Sequence, residues 1–267
     1  MAFETVGTES LIVVAALAAV VAFFYSNLGL GGGQLYVPIM DLFFLSLAMK
    51  EIVPLSLCFA FATMASATFS HSRKRLVDFR LGVMLAAGGM VGVVIGVLFT
   101  TSVDETYVKI GFASLLLIVA TKMIHDLYRS REGEGRGEAE RSASRVMAGV
   151  GVSVLTGFLI GSFGIGGGVI SVPLIIYVFR FDARKAIGTS ALMGAILTPA
   201  AFAAYALQEG VTIHYDLAVA LTPIVFVMAV IGSTWGLKKL KTKSVRTIFV
   251  GGVYLAACEM IYSLLTQ

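Results

Sequence analysis

Long apolar runs separated by short polar breaks account for nearly the whole chain. Ten runs stand out. The first five cover about 10–28, 34–48, 52–71, 80–100 and 106–127; the second five cover about 146–163, 169–180, 185–207, 216–236 and 244–265. A helix needs roughly 20 residues to cross the hydrocarbon core, and most runs have that length. The second and seventh are short, and such helices rise only about 18–22 Å. Each either crosses with its neighbours or pairs with the run before it as a re-entrant hairpin. The only long polar stretch, YRSREGEGRGEAERSASR at 128–145, has the composition of a flexible linker. The expected organisation is a first membrane repeat at 1–127, a cytoplasmic linker at 128–145 and a second membrane repeat at 146–267.

Composition sharpens this picture. The 267 residues are 58% hydrophobic and 13% charged, with mean hydropathy +0.91. A soluble domain is about 45–50% apolar and about 25% charged. A soluble enzyme and a disordered chain are therefore excluded, and an all-α polytopic membrane protein is expected. Cys58 and Cys258 sit singly in apolar runs, with neither a disulfide framework nor a metal signature. The first ten residues carry two glutamates and no Lys or Arg, so residues 11–27 read as a retained membrane segment and not a cleaved signal.

Charge sets the orientation. Basic residues gather in the loop 72–80 (Arg73, Lys74, Arg75, Arg80), in the linker (Arg129, Arg131, Arg136, Arg141, Arg145), at Arg180, Arg184 and Lys185, and before the tenth run (Lys238, Lys239, Lys241, Lys243, Arg246). The connections near 101–105, 164–168 and 208–215 have none. Under the positive-inside rule both termini are expected on the outer side of the membrane. The sequence pI of about 9.1 is read in the same way, with no nucleic-acid partner.

The chain repeats itself. Residues 29–39 read GLGGGQLYVPI and residues 164–174 read GIGGGVISVPL, displaced by 135 residues. Chance gives such a match odds on the order of one in ten million. Lys50-Glu51-Ile52 aligns with Lys185-Ala186-Ile187, and Gly92 and Gly96 align with Gly232 and Gly236 after a small insertion. An odd number of segments reverses each repeat in the membrane. The basic loop 72–80 then corresponds to the uncharged-to-acidic stretch near 208–215. These are the marks of two inverted-topology five-segment repeats, a plan common among secondary transporters.

The glycine clusters carry the chemistry. Successive glycines break a helix and let backbone approach a ligand. Bare peptide groups in lipid are costly, so such a break is buried or lines a wet cavity. The helix that follows opens with free N–H groups and the positive end of its dipole, which attract anions. Gly29, Gly31, Gly32 and Gly33 and their counterparts Gly164, Gly166, Gly167 and Gly168 are the primary substrate-binding candidates. Tight helix packing is the alternative reading of the same glycines. Pro38 and Pro173 are expected to kink or end the first turns of the short helices.

Nearby polar side chains add donors. Asn27, Gln34, Ser56, Ser162, Thr189 and Ser190 are candidates for substrate contact, with Thr189 and Ser190 the best outside the clusters. Tyr36, Ser171, Thr63, Ser66 and Thr198 lie close in sequence. Asp41 and Glu259 are intramembrane acids and so candidate proton carriers, Asp41 without an evident partner. His71 and Arg73 are candidates for gating at the cytoplasmic mouth, together with Pro38, Pro173 and Asp41. His214, His125 and Asp126 read as loop or interfacial residues. No metal cluster, cofactor motif or catalytic constellation is evident, and an enzyme is not expected.

The doubled G-x-G-G-G-x-x-x-V-P pattern resembles the TauE/SafE family, also called the sulfite exporter or TSUP family. The stretches SHSRKRLVDFRLG (70–82) and AIGTSAL (186–192) are similar to that family as well. The first half departs at IVPLSL (52–57), where Pro54-Leu55 replaces a Thr-Ser pair. Any first-half substrate role there rests on Ser56. The resemblance implies export of a small sulfur-containing oxyanion, sulfite or an organosulfonate such as sulfoacetate. The residues themselves predict an anion transporter working by alternating access in the lipid bilayer, coupled to protons or to the membrane potential. A passive anion channel, a carrier of a different small organic anion and a homo-oligomer remain open.

Overall fold

The computed structural model describes residues 6–129, 143–239, 251, 253–261 and 263. Arg131, Arg136 and Arg141 of the linker, and Lys241, Lys243 and Arg246, lie outside the described residues, as do 244–250 of the tenth run. The described chain is helical throughout, with no strand: α1 Thr8–Leu28, α2 Gly33–Phe43, α3 Met49–Ser72, α4 Phe79–Ser102, α5 Glu105–Arg129, α6 Ala143–Phe163, α7 Gly168–Phe179, α8 Ala183–Ala206 and α9 Tyr215–Lys239. Residues 251, 253–261 and 263 form the last helix, α10. Among the described residues six helices are long and apolar enough to cross a membrane: α1, α3, α4, α6, α8 and α9.

The ends of the helices follow local chemistry. Asp78 caps α4 by accepting from the Leu81 N–H at 3.0 Å, and Asp182 caps α8 by accepting from the Lys185 N–H at 2.9 Å. Asp104 opens α5 by accepting from the Thr106 N–H at 2.9 Å. The Thr106 hydroxyl and amide hold that exposed carboxyl below the usual carboxylate range. Glu51 reaches back to the Ala48 N–H at 3.1 Å at the start of α3.

The apolar faces point two ways. Val14, Ala18, Phe59, Leu81, Leu85, Leu197 and Leu221 are buried between helices. Val83, Val91, Val94 and Ile95 of α4 are more than half or about half exposed, which is the lipid side of a membrane helix.

Small residues let two helix pairs touch backbone to backbone. On α4, Gly92 lies against the Val154 carbonyl of α6; on α6, Gly157 lies against the Gly89 carbonyl of α4. Gly88, Gly92 and Gly96 meet successively later residues of α6, so the two helices run in the same direction. On α9, Gly232 rests on the Phe23 carbonyl of α1. Phe23 and Phe158 are counterparts at the 135-residue displacement, and Phe158 is met by Gly96. The contact register therefore pairs Gly96 with Gly232 at a displacement of 136 residues, one more than that of the glycine motif, where the sequence alignment pairs Gly92 with Gly232.

Cross-links sort the connections into two groups. The Asp78 N–H donates to the Thr189 hydroxyl at 3.0 Å, and Gly188 abuts the Leu76 carbonyl, so the basic loop 72–80 sits on the first turns of α8. The Met49 N–H donates to Glu105 at 3.3 Å, and His214 Nε2 lies 3.8 Å from Glu51. The starts of α3, α5 and α9 therefore lie together.

Candidate functional site

Both glycine clusters interrupt the helix. At the first, α1 ends on Gly29 in the left-handed conformation (φ 60°, ψ 30°), and α2 starts from Gly32, also left-handed (φ 86°, ψ −8°). Gly31 has φ 78°. At the second, Gly164 has φ 64°, and α7 starts from Gly167 (φ 79°, ψ −22°). L side chains rarely adopt these angles, so only glycine is at ease there. Neither helix start has a side-chain cap. The Leu35 and Tyr36 N–H groups return to the Gly32 carbonyl at 2.9 and 3.0 Å; the Ile170 and Ser171 N–H groups return to Gly167 at 3.2 and 3.1 Å. The amides before them point out of the helix start, as the first amides of any helix do.

The two breaks meet face to face. A Cβ on Gly31 would strike the Gly166 Cα, and one on Gly166 would strike Gly31. A Cβ on Gly33 would strike the Gly164 carbonyl, and one on Gly168 the Gly29 carbonyl. Each contact has its reciprocal at the 135-residue displacement. The glycines thus serve packing and helix interruption at once. A Cβ on Gly164 would also strike the Ser56 hydroxyl, so Ser56 lies against the second break.

The surroundings of the breaks differ. Beside the first, Asn27 donates to the Phe23 carbonyl at 3.2 Å, while its Oδ1 is buried without a hydrogen-bond partner. Gln34 is 1% exposed, and neither its Nε2 nor its Oε1 closes a hydrogen bond among the described residues. Tyr25 is its neighbour. Tyr36 covers Gly32 and shares a 2.9 Å hydrogen bond with Thr63. Beside the second break every hydroxyl is engaged. Ser162 donates to the Gly96 carbonyl at 3.3 Å; its own carbonyl accepts from Thr100 at 2.7 Å. The Tyr205 hydroxyl donates to the Gly161 carbonyl at 2.7 Å, and Ser171 pairs with Ser190 at 2.5 Å.

A narrow cavity lies beside the second break. Gln34, Gly167 and Thr156 line it together with an aliphatic wall that includes Leu115, Leu159 and Val169, and its open surface is apolar. It is about the size of one water molecule.

Other expected site residues fall elsewhere. The Thr189 hydroxyl accepts from the Asp78 amide, so this favoured contact residue holds the basic loop in place. Ser66 pairs with Ser233 at 3.0 Å, and Thr198 donates to the Gly194 carbonyl at 2.8 Å. His71 is buried with Nδ1 2.8 Å from the Ala67 carbonyl, while Arg73 is exposed and stacks on Phe69. The two gating candidates thus face different surroundings. Pro38 and Pro173 do not end their helices: α2 continues to Phe43 and α7 to Phe179. Each proline removes one N–H donor, so the Gln34 and Val169 carbonyls four residues earlier lose their helical partner. The side chains of His125 and Asp126 lie outside the described residues.

Asp41 has a partner that sequence reasoning missed. The Lys109 Nζ lies 3.1 Å from it and 3.3 Å from Glu105, and Ser263 donates to Asp41 at 3.0 Å. Lys109 is 2% exposed. Its signal in the sequence is a single lysine one turn inside the fifth apolar run.

Residues 14–260 match the profile of the sulfite exporter TauE/SafE family. The chain belongs to that family. Relatives are described as membrane transporters. YunE of Bacillus subtilis (strain 168), a probable membrane transporter protein, is 24% identical over 95% of this chain and 98% of its own. A probable membrane transporter protein of Xylella fastidiosa (strain Temecula1 / ATCC 700964) is 31% identical over 69% of each. MamO of Magnetospirillum gryphiswaldense (strain DSM 6361 / JCM 21280 / NBRC 15271 / MSR-1), described in the same words, is 26% identical over 87% of this chain and 41% of its own. No solved structure matches the chain. This TauE/SafE protein is a multi-pass membrane transporter.

Proposed function

We propose that this transporter exports a small sulfur-containing oxyanion, sulfite or an organosulfonate such as sulfoacetate, held between the starts of α2 and α7. The observation that carries this reading is the meeting of the two glycine breaks, each of which opens a helix without a side-chain cap. The starts of α2 and α7 are uncapped, and the Gln34 amide is buried beside Tyr25 without a closed hydrogen bond among the described residues. Two helix dipoles and several free N–H groups favour an anion without a cationic side chain. The Gln34 Nε2 adds a donor that a sulfonate oxygen would satisfy. Sulfur specificity and the outward direction come from the family description alone.

In this reading α1–α2 and α6–α7 are two re-entrant hairpins belonging to two inverted halves, 1–127 and 146–267. Support comes from the reciprocal glycine contacts, from the parallel pairing of α4 with α6 and from the packing of α1 on α9. Rocking of the halves would expose the cavity to each side in turn. The tight closure of the breaks on each other favours a carrier over a passive channel, which needs a continuous wet path. The basic loop 72–80 faces the cytoplasm and both termini face the periplasm of a bacterial inner membrane, by the positive-inside rule.

The test is transport of labelled sulfite, sulfoacetate and sulfate in proteoliposomes, with and without an imposed pH gradient. Saturable uptake of a sulfur oxyanion is expected. Transport of cations or neutral solutes with none of these anions would remove the reading.

A further inference from the structure

One buried ionic cluster lies outside the anion site, at the opposite end of the same helix. Asp41 stands near the C-terminal end of α2, seven residues after Gln34, so roughly 10 Å separates it from the start of the helix. Its carboxylate is held by Lys109 of α5 at 3.1 Å and by Ser263 of α10 at 3.0 Å. These contacts latch α2 to both helices.

The charges around this latch do not balance. Among the described residues Lys109 is the one ammonium in the cluster; the carboxylates of Asp41 and Glu105 touch it, and a third lies near. Asp41 comes from α2 and Glu105 from α5; Glu259 comes from α10 and interacts electrostatically with both Asp41 and Lys109. From α3 only the Met49 amide faces the cluster, donating to Glu105, while Glu51 turns to His214. Glu105 is 37% exposed and can be hydrated. Asp41 is ion-paired and hydrogen-bonded. Glu259 is half-buried, and its Oε2 has no hydrogen-bond partner among the described residues. A buried carboxylate without its own counterion is costly, and a proton removes that cost.

We propose that Glu259, Lys109 and Asp41 form a proton switch that links the latch on α2 to anion binding at the other end of that helix. With Glu259 as the neutral acid, Lys109 belongs to Asp41 and α2 is seated, as in this structure. When the Glu259 O–H bond breaks, the proton leaves to water and the new carboxylate competes for the Lys109 ammonium. Asp41 is then held less firmly, and α2 is free to shift its N-terminal turn toward the anion. Proton and anion therefore oppose each other through one rigid element, and the linkage is reciprocal. Lys109 and Asp41 are positioning residues in this scheme. The inference rests on the reading of α2 and α7 as the anion site.

The experiment measures sulfoacetate binding to the purified full chain between about pH 6 and about pH 8, where the charge of the probe itself is constant. Proton release is followed in weak buffer. The unsubstituted protein should release close to one proton per anion bound, and its Kd should weaken by up to about tenfold per unit of acidification. Glu259→Gln, which imitates the neutral acid, should bind weakly at every pH and release no proton. The double variant Asp41→Asn/Lys109→Met removes the latch; it should bind at least as tightly as the unsubstituted protein at high pH, again without pH dependence. Native-like thermal unfolding of each variant establishes that it is folded. A Glu259→Gln protein that titrates like the unsubstituted one overturns the switch, as does pH-independent binding by the unsubstituted protein. Absence of binding of both sulfoacetate and sulfite by the unsubstituted protein overturns the anion-site reading itself.

Discussion

The two glycine breaks share a backbone and differ in their side chains. Both start a short helix from a left-handed glycine, and each pushes its glycines against the other's carbonyls. Around the first stand Tyr25, Asn27, Gln34 and Tyr36; at the corresponding places around the second stand Ile160, Ser162, Val169 and Ser171. The first keeps polar atoms of Asn27 and Gln34 unsatisfied, while the second ties Ser162, Ser171 and Gly161 into local hydrogen bonds. The contrast continues along the short helices: α2 carries the ion-paired Asp41, and α7 carries Ile176 at that place. The two breaks share a backbone plan, and the first holds most of the uncommitted polarity. A buried amide with no partner costs about 1–3 kcal/mol. That cost is reasonable where a ligand offsets it.

The largest effect should come from filling the shared backbone contact. Gly33→Ala and Gly168→Ala both put a methyl group into a carbonyl that has no room to retreat. Each should destabilise the fold by about 3 kcal/mol or more, seen as a large loss of folded protein on thermal unfolding in detergent. If only one of them did so, the breaks would not be equivalent in backbone.

Comparable in size is the effect of breaking the ion pair between Asp41 and Lys109. Lys109→Met strands a buried Asp41 carboxylate and should cost about 3–5 kcal/mol, whereas Asp41→Asn/Lys109→Met should recover much of that. Equal loss in the single and double variants would mean that Lys109 contributes packing and not charge. A smaller change in stability but a large one in activity is expected from Gln34→Val, which gives the first break the residue of the second. Thermal stability should be kept or slightly raised, and sulfoacetate transport should fall at least tenfold, about 1.4 kcal/mol of lost binding. The reverse exchange, Val169→Gln, should not compensate. Thr189→Ala is the smallest: about 1 kcal/mol for the lost Asp78 hydrogen bond, with transport retained.

Much of this was legible in the apolar pattern. Ten runs gave ten helices, and the doubled glycine motif marked both interruptions, because in a membrane only a continuous helix hides its peptide groups. What the pattern did not carry was partnership across the bundle. The partners of Thr189 and Ser162 were not legible, because a hydroxyl looks the same in sequence whether it meets a substrate or the Asp78 amide and the Gly96 carbonyl. Lys109 was hidden for the opposite reason. One lysine near a helix end usually reaches the interface, and only the position of Asp41 across from it makes it a buried counterion. Pro38 and Pro173 do not end the first turns, because the glycines just before them already supply the break and the short helices continue past them.

The account stands on an anion bound where the starts of α2 and α7 converge. A structure determined with sulfoacetate bound tests it directly. Sulfonate oxygens within hydrogen-bond distance of the Gln34 amide and the backbone N–H groups around Gly33 and Gly167 are predicted. Sulfonate density on the basic loop 72–80, with the Gln34 cavity still closed, would contradict it.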